Sequence, residues 1–580
     1  MNELKWLFRT ASGYKKFIIF GLTLTIITAF LGIVNPMVAG QLVKDVIQDR
    51  KLQMLIPLLA LMVGVSFFKS TIRYGMQTLF EFASQNIFKR HKDELYQKLQ
   101  SMDFGFMDRN RTGDLMAIIT NDTEIIRNFV ALILYSIVEN LLLFVFAVVM
   151  IGLQNWQIML MLMAISPLIA IATYKFSKKI RPVYARIREQ YSRLNTVVEE
   201  NISGNRVVKA YTKEDYEIEK FEKENTSFRD INIEASKISA TFTPILETFS
   251  QAIIFTLLIS GGLFMYFGKI QPWQFVTING YMGALINPMK TASNLVNEFQ
   301  RFIISAGRVM GIMRAEPLVE NPEKPVEHVP EGDVEFVNVS FGYPGNKTCL
   351  KKVSFKVTKG QTVGIIGSTG AGKTSLISLI PRFYDVREGK VLLDGIDVRD
   401  YDLTTLRSKI GIAMQDVFLF SDTVEGNIAF GVPEIPFDNV ERAAEASDAN
   451  DFILKMEDGY DTIVGERGVG LSGGQRQRLS LARSICKNPS ILILDDTTSA
   501  VDMETERKIQ GELSQILSGK TTFIIAQRLS SIKHADLILV VEDGEIVERG
   551  NHEQLLEKRG YYYDIYQEQI GEIEEAMKFA

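Results

Sequence analysis

"GIIGSTGAGKTS", residues 364–375, decides how the second half of this 580-residue chain is built. The stretch fits G-x-x-x-x-G-K-[ST], with Gly367, Gly372, Lys373 and Thr374 at the fixed positions. An apolar run, "TVGII" (362–366), leads into it, and a helical pattern, "TSLISLIPRFY" (374–384), leads out. The loop therefore joins a strand end to a helix start. Its glycines, Gly367, Gly370 and Gly372, let the backbone N–H groups around Ser368, Thr369, Ala371 and Ser375 curl about a phosphate chain. The helix start adds partial positive charge. In that geometry Lys373 reaches the β- and γ-phosphates and Thr374 binds Mg²⁺.

A second stretch completes the site. "ILILDDTTSAVD" (491–502) runs four apolar residues into two carboxylates, as a buried strand does when it presents acids to a magnesium nucleotide. Asp495 fits the magnesium position. Asp496 stands where most proteins that hydrolyse ATP at such a strand end carry Glu. ATP and Mg²⁺ are the cofactors these two stretches imply.

Around them, "VEFVNVSFGY" (334–343), "TFIIAQ" (522–527) and "LILVVEDGEIVERG" (537–550) read as further strands alternating with helices. The expected fold here is an α/β domain over 331–580. Just before it, "AEPLVENPEKPVEHVPEGD" (315–333) sets Pro317, Pro322, Pro325 and Pro330 among charges, so 315–330 reads as a linker.

The first half, 1–314, is of another kind. Its apolar residues come in long blocks, with spans expected near 17–39, 54–79, 129–153, 157–176, 244–268 and 274–298. The first block is too long for a signal peptide. Ahead of it, "ELKWLF" (3–8) reads as a short amphipathic helix on the membrane surface. Gaps after the first, third and fifth spans are short; those after the second and fourth, roughly 80–128 and 175–243, are long, helical and rich in Lys and Arg. The positive-inside rule puts those gaps and both chain ends in the cytoplasm. Arg73, Gln77, Glu139, Asn140, Asn279, Asn287 and Asn294 lie in or near spans, where interhelical hydrogen bonding and cavity lining are equally open readings.

Composition narrows the partners. A net charge of −5 disfavours nucleic acid. Two cysteines, Cys349 and Cys486, build no disulfide framework and read as small buried hydrophobes in a reducing compartment.

Between the phosphate loop and Asp495 lies "LSGGQRQRLSLARSI" (471–485), which resembles the signature sequence of ABC transporter ATPases. Its neighbours fall in that family's order. Tyr343 in "FGYPG" sits where an aromatic stacks on adenine, and Gln415 in "AMQDVFLFSDTVEGNI" matches the glutamine loop, a metal and catalytic position. "VGERG" (464–468) matches the exporter-type loop, "SAVD" (499–502) the loop linking two nucleotide sites, and Gln527 the switch position. The first half resembles the six-span exporter domain, so the resemblance covers essentially the whole chain. "FGFMDRNRTGDL" (104–115) and "GNRVVKAYTKEDYEIEKF" (204–221) resemble the regions that couple the membrane domain to the ATPase. The family works as a dimer, each ATP held between one phosphate loop and the partner's signature. Ser472, Gly473, Gly474 and Gln475 would thus serve a γ-phosphate bound on the partner subunit.

Two positions depart from the family. Asp496 replaces the usual Glu that positions or deprotonates the attacking water, and Gln527 replaces the usual His. An amide donates a hydrogen bond but carries no proton near neutral pH as imidazole does. Both changes weaken hydrolysis while sparing binding. The chain therefore resembles the degenerate-site subunit of bacterial heterodimeric multidrug exporters. The resemblance implies a plasma-membrane location, contact with membrane lipids, and a hydrophobic or amphipathic substrate. It also implies a different partner half-transporter carrying Glu and His. A homodimeric lipid flippase is the alternative, and an ATP-gated channel or regulatory membrane protein a second. An importer is disfavoured because the membrane and ATPase parts are fused.

Overall fold

Strand β7, Ile491–Asp495, is buried at every residue. Such a run needs cover on both faces, which a parallel sheet wrapped by helices provides. The computed structural model describes residues 2–345, 347–432, 434–465, 468–497, 508–509, 511 and 518–569. "SAVD" (499–502) and, within "VGERG", positions 466 and 467 lie outside these.

The chain packs as two units, Met1–Gln100 with Gly113–Ala315, and Ser101–Thr112 with Glu316–Ala580. In the second, the strands in order are β1 (Val334–Phe341), β2 (Leu350–Val357), β3 (Thr362–Ile366), β4 (Glu388–Leu393), β5 (Ile396–Asp397), β6 (Ile410–Ala413), β7, β8 (Thr521–Ile525), β9 (Leu537–Glu542) and β10 (Glu545–Gly550). They form two sheets, ordered β2-β1-β4-β5 and β10-β9-β3-β8-β7-β6. The smaller sheet is antiparallel. In the larger, β9, β3, β8, β7 and β6 run parallel, and β10 adds an antiparallel edge. That edge alternates half-buried residues with exposed ones, among them Glu545 and Arg549, and so resists further pairing. Phe336, Phe341, Leu376, Ile377, Phe523 and Leu539 close a core between the sheets. A second core, under the helix Gly473–Cys486, includes Leu419, Ile428, Leu479, Leu481 and Leu492. Cys486 is buried in it, while Cys349 is half-buried against the first core.

Among the described residues, five helical stretches are long and apolar enough to cross a membrane: Ser12–Gln48, Leu52–Gln100, Thr112–Gln154, Trp156–Ser203 and Glu214–Tyr266. The sixth expected span, 274–298, lies in the helix Pro272–Arg314. Asn279, Asn287, Lys290 and Asn294 dilute its apolar character, and it falls short of the measure the other five meet. Two expected spans are less regular than their pattern. Residues 157–176 are interrupted between the helices Trp156–Met163 and Ser166–Ser203, and Phe129–Ile133 is a widened turn ahead of Leu134–Gln154. The short gaps are explained locally. Asn155 Oδ1 accepts from the N–H groups of Gln157 and Ile158 at 3.0 Å each, restarting the chain as a helix after one residue.

The long gaps are helix that continues past the spans. Leu55–Gln100 has 46 residues and Glu214–Tyr266 has 53. At ~1.5 Å per residue they run about 70 and 80 Å, more than twice a ~30 Å hydrocarbon core. The helix Asn2–Thr10 forms as expected, with Trp6 stacked on His91 at 4.8 Å and Leu7 buried.

Within the spans, polar side chains pair between helices. Arg73 donates twice to the Glu139 carboxylate, at 2.9 and 3.1 Å, and Thr291 donates to Asn140 at 3.2 Å. Beside them the helices Leu134–Gln154 and Pro272–Arg314 line an apolar cavity of about 550 Å³, with Leu141, Phe144, Met289, Leu295, Val296 and Phe299 in its wall.

Candidate functional site

Because β3, β8, β7 and β6 are parallel neighbours, their carboxyl ends lie side by side. That edge is where an open α/β sheet holds its ligand. β3 releases the phosphate loop at Gly367, and β7 ends on Asp495 with Asp496 next. Gln527 follows β8 by two residues and Gln415 follows β6 by two.

The loop's shape depends on glycine. Gly367 has φ +154° and Gly372, just before the helix Lys373–Ser378, has φ +101°. A Cβ on Gly367 would stand 1.9 Å from the Val541 carbonyl oxygen, which belongs to backbone and cannot swing aside. Gly367→Ala should therefore cost on the order of 2–4 kcal/mol and lower the apparent Tm of the full chain by about 5 °C or more. A thermal melt of the purified variant checks this.

Side chains then converge on the loop. Lys373 Nζ donates to the Gly367 and Ser368 carbonyls at 2.8 Å each, which sets its charge over the loop. Its pKa is lowered by burial, against the pull of Asp495 and Asp496. Thr374 Oγ1 donates to Asp495 Oδ2 at 2.9 Å. Burial pushes the Asp495 carboxyl up, the Thr374 hydroxyl opposes this, and the neighbouring Asp496 adds to it. A buried carboxylate held beside a hydroxyl under such strain suits a hard divalent cation, which would relieve the cost. Among the described residues no cluster of three His, Cys, Asp or Glu could hold a metal. Thr374 and Asp495, with Gln415 following the neighbouring strand β6, would leave most positions to phosphate oxygens and water.

Asp496 is also buried, and adopts φ +49°, the left-handed region that Asp tolerates better than most residues. Its N–H donates to the Ile525 carbonyl at 3.0 Å, fixing it across from β8. Gln527 Nε2 donates to Asp496 Oδ2 at 3.1 Å. Asp496 and Gln527, far apart in the sequence, thus share a hydrogen bond. Gln415, by contrast, is exposed.

Tyr343 is half-buried. Its hydroxyl lies 3.0 Å from Ser375 Oγ, and its ring meets Tyr384 edge-on at 5.1 Å. The expected base-stacking residue stands beside the phosphate loop. At the signature, Ser472 caps the helix Gly473–Cys486 through a reciprocal pair. Ser472 Oγ accepts from Gln475 N at 3.2 Å and Gln475 Oε1 accepts from Ser472 N at 2.8 Å. This satisfies two groups at the helix start, just ahead of Gly473 and Gly474. Gln477, one turn in, donates to the Asp496 carbonyl at 3.4 Å.

One further feature carries no motif in the sequence, and a second lies in the stretch that resembles a coupling region. Ser368 Oγ donates to Glu542 Oε2 at 3.0 Å, tying the phosphate loop to the end of β9. Residues 101–112 pack with the second unit. Asp103 caps the helix Phe104–Arg109, Phe104 stacks on Phe383 at 4.2 Å, and Tyr384 donates to Asp108 Oδ2 at 2.7 Å. Tyr384 thereby touches this helix with its hydroxyl and Tyr343 with its ring.

Known proteins share both halves. The family described as "ABC transporter transmembrane region" matches residues 18–289, and that described as "ABC transporter" matches 350–499. The chain is 37% identical over 532 residues to an ATP-dependent lipid A-core flippase of Syntrophus aciditrophicus (strain SB), covering 91% of this chain and 88% of the relative. It is 32% identical over 574 residues to a putative multidrug export ATP-binding/permease protein, YgaD, of Bacillus subtilis (strain 168), covering 98% and 99%. Among solved structures, a bacterial Atm1-family ABC exporter with ATP bound superposes with a TM-score of 0.79 at 26% identity, over 97% of this chain and 99% of that one.

Proposed function

Since this chain belongs to the ABC transporter family, as an exporter with a membrane domain fused to its ATPase, we propose that it drives hydrophobic or amphipathic compounds out across the cytoplasmic membrane as one half of a pair of unlike chains. The observation that carries the reading is the contact between Asp496 and Gln527 beneath a complete phosphate loop and a complete signature helix. The chain's own site would hold ATP and turn it over slowly. Its signature, Ser472 to Gln475, would complete a fast site on a partner with Glu and His.

The following roles go with this reading. Lys373 carries its charge to the β- and γ-phosphates, and the Tyr343 ring takes the adenine. Thr374, Asp495 and Gln415 would hold Mg²⁺, which neutralises phosphate charge when bound. Asp496 orients the attacking water from a carboxylate set back by about 1.5 Å, the length of one C–C bond. Gln527 supplies a hydrogen-bond donor without a proton to give. The apolar cavity of about 550 Å³ is of a size that suits a drug-like amphiphile. The lipid A-core flippase relative supports a second reading, a homodimeric flippase.

Purification of the full chain from its native membranes, followed by intact mass spectrometry, separates the two. The heterodimer reading expects a second half-transporter whose sequence has Glu and His at the positions of Asp496 and Gln527. Two copies of this chain alone would contradict it.

The segment Phe104–Arg109 fits the role of a coupling helix. Removing the Phe104 ring forfeits a stacked pair worth about 0.5–1.5 kcal/mol. Phe104→Ala should reduce ATP-driven efflux of an amphipathic dye from proteoliposomes several-fold while leaving the affinity for a fluorescent ATP analogue within about twofold. Paired transport and binding assays check it.

A further inference from the structure

The switch residue Gln527 is held from behind by the C-terminal segment. Residues 561–569 are helical, and their start is fixed by Glu548 of β10, whose carboxylate accepts from the N–H groups of Tyr561 at 2.9 Å and Tyr562 at 3.0 Å. Tyr562 is fully buried, in one core with Ala526, Leu529 and Ile532. His552 adds a 2.7 Å contact to its hydroxyl. The helix is thus anchored by both charge and packing.

Farther along it, Gln569 meets the switch loop with both halves of its amide. Nε2 donates to the Gln527 carbonyl at 2.8 Å, and Oε1 accepts from the Leu529 N–H at 2.9 Å. A primary amide carries a donor and an acceptor side by side, which suits a backbone C=O and N–H two residues apart. The Gln527 side chain in turn donates to Asp496. A continuous path runs from the buried Tyr562 through Gln569 and Gln527 to the Asp496 carboxylate.

We infer that Gln569 is a positioning residue for hydrolysis at this chain's own nucleotide site, setting the switch loop so that Gln527 faces Asp496. The inference rests on the reading of Asp496 and Gln527 given above. Placement of a catalytic shell tolerates about 0.5 Å, and a loop beyond a strand end needs such outside support to meet it. Gln569 touches neither nucleotide nor water in this role, and the helix behind it makes the C-terminal segment part of the switch.

The test uses the full chain in lipid nanodiscs with two readouts. In the first, hydrolysis and fluorescent ATP-analogue binding are compared for Gln569→Ala, Gln527→Ala and the double variant. The expected result is a three- to tenfold fall in kcat for each single change, KM and binding within twofold, and no further loss in the double variant. In the second, hydrogen exchange of the peptide spanning 526–532 is followed. It should quicken at least threefold in Gln569→Ala and by less in Gln569→Glu, which keeps the acceptor for the Leu529 N–H but loses the donor to the Gln527 carbonyl. Unchanged exchange in Gln569→Ala overturns the clamp. Quickened exchange with unchanged kcat in Gln569→Ala overturns the positioning role, as do additive losses in the double variant. If Gln527→Ala leaves hydrolysis unchanged while exchange responds to Gln569, the clamp exists but the catalytic reading of Gln527 falls, and the positioning role with it.

Discussion

Changing Asp496 to Glu together with Gln527 to His should raise the ATPase rate of the full chain by about one to two orders of magnitude, with the affinity for ATP altered by no more than about threefold. The size follows from placement. Asp496 is fixed at its backbone by the Ile525 carbonyl, so its carboxylate cannot advance to make up for the missing methylene. A reacting group displaced by about 1 Å can lose on the order of a hundredfold. Histidine at 527 adds a group that can accept and return a proton near neutral pH, which the amide lacks. Neither change touches the phosphate loop, where Lys373 and Thr374 keep their partners. Steady-state hydrolysis and analogue binding on the same preparations check both halves of the expectation. The single changes should each recover part of the rate, and because their side chains share a hydrogen bond the two effects should not simply add.

Lys373→Ala should have the opposite effect, weakening ATP binding by about 10–100-fold and removing measurable hydrolysis. The Nζ lies over the loop, held by two carbonyls. Hydrogen bonds to charged groups are worth about 1.5–3 kcal/mol each, and at least one to the phosphates is lost. Burial lowers the pKa of Lys373 and so makes its charged form costly, with Asp495 and Asp496 working the other way. A bound phosphate chain would favour that charge further. Titration with a fluorescent ATP analogue and a transport assay in proteoliposomes check this.

Much of the site could be read from short stretches because its chemistry is local. The phosphate loop needs its glycines within a few residues of Lys373, and the five buried positions of β7 announce a covered parallel strand. The order of strands could not be read that way. Nothing in the sequence alone says that β8 lies between β3 and β7, yet that placement brings Gln527 to Asp496. In the membrane unit, six apolar blocks could be read; five fall in helices with the length and composition of a membrane span, while the sixth, 274–298, lies in the helix Pro272–Arg314, where Asn279, Asn287, Lys290 and Asn294 interrupt its apolar run. Asp108 meets Tyr384 across 276 positions, a distance no periodicity reaches, and only the family resemblance pointed to that stretch. Gln569 was silent for a different reason. A side chain that clamps backbone leaves no pattern in the residues it holds.

The measurement that bears most directly on a weakened site within an exporter pair is the ATP hydrolysis rate of the unmodified chain, purified alone in lipid with saturating magnesium ATP. Enzymes commonly turn over at about 1–1,000 s⁻¹. With Asp496 set back and Gln527 unable to carry a proton, the rate should fall well below ~1 s⁻¹ while the analogue still binds tightly. Turnover of several ATP per second by this chain alone would contradict it, and would make Asp496 an adequate base in a homodimeric pump.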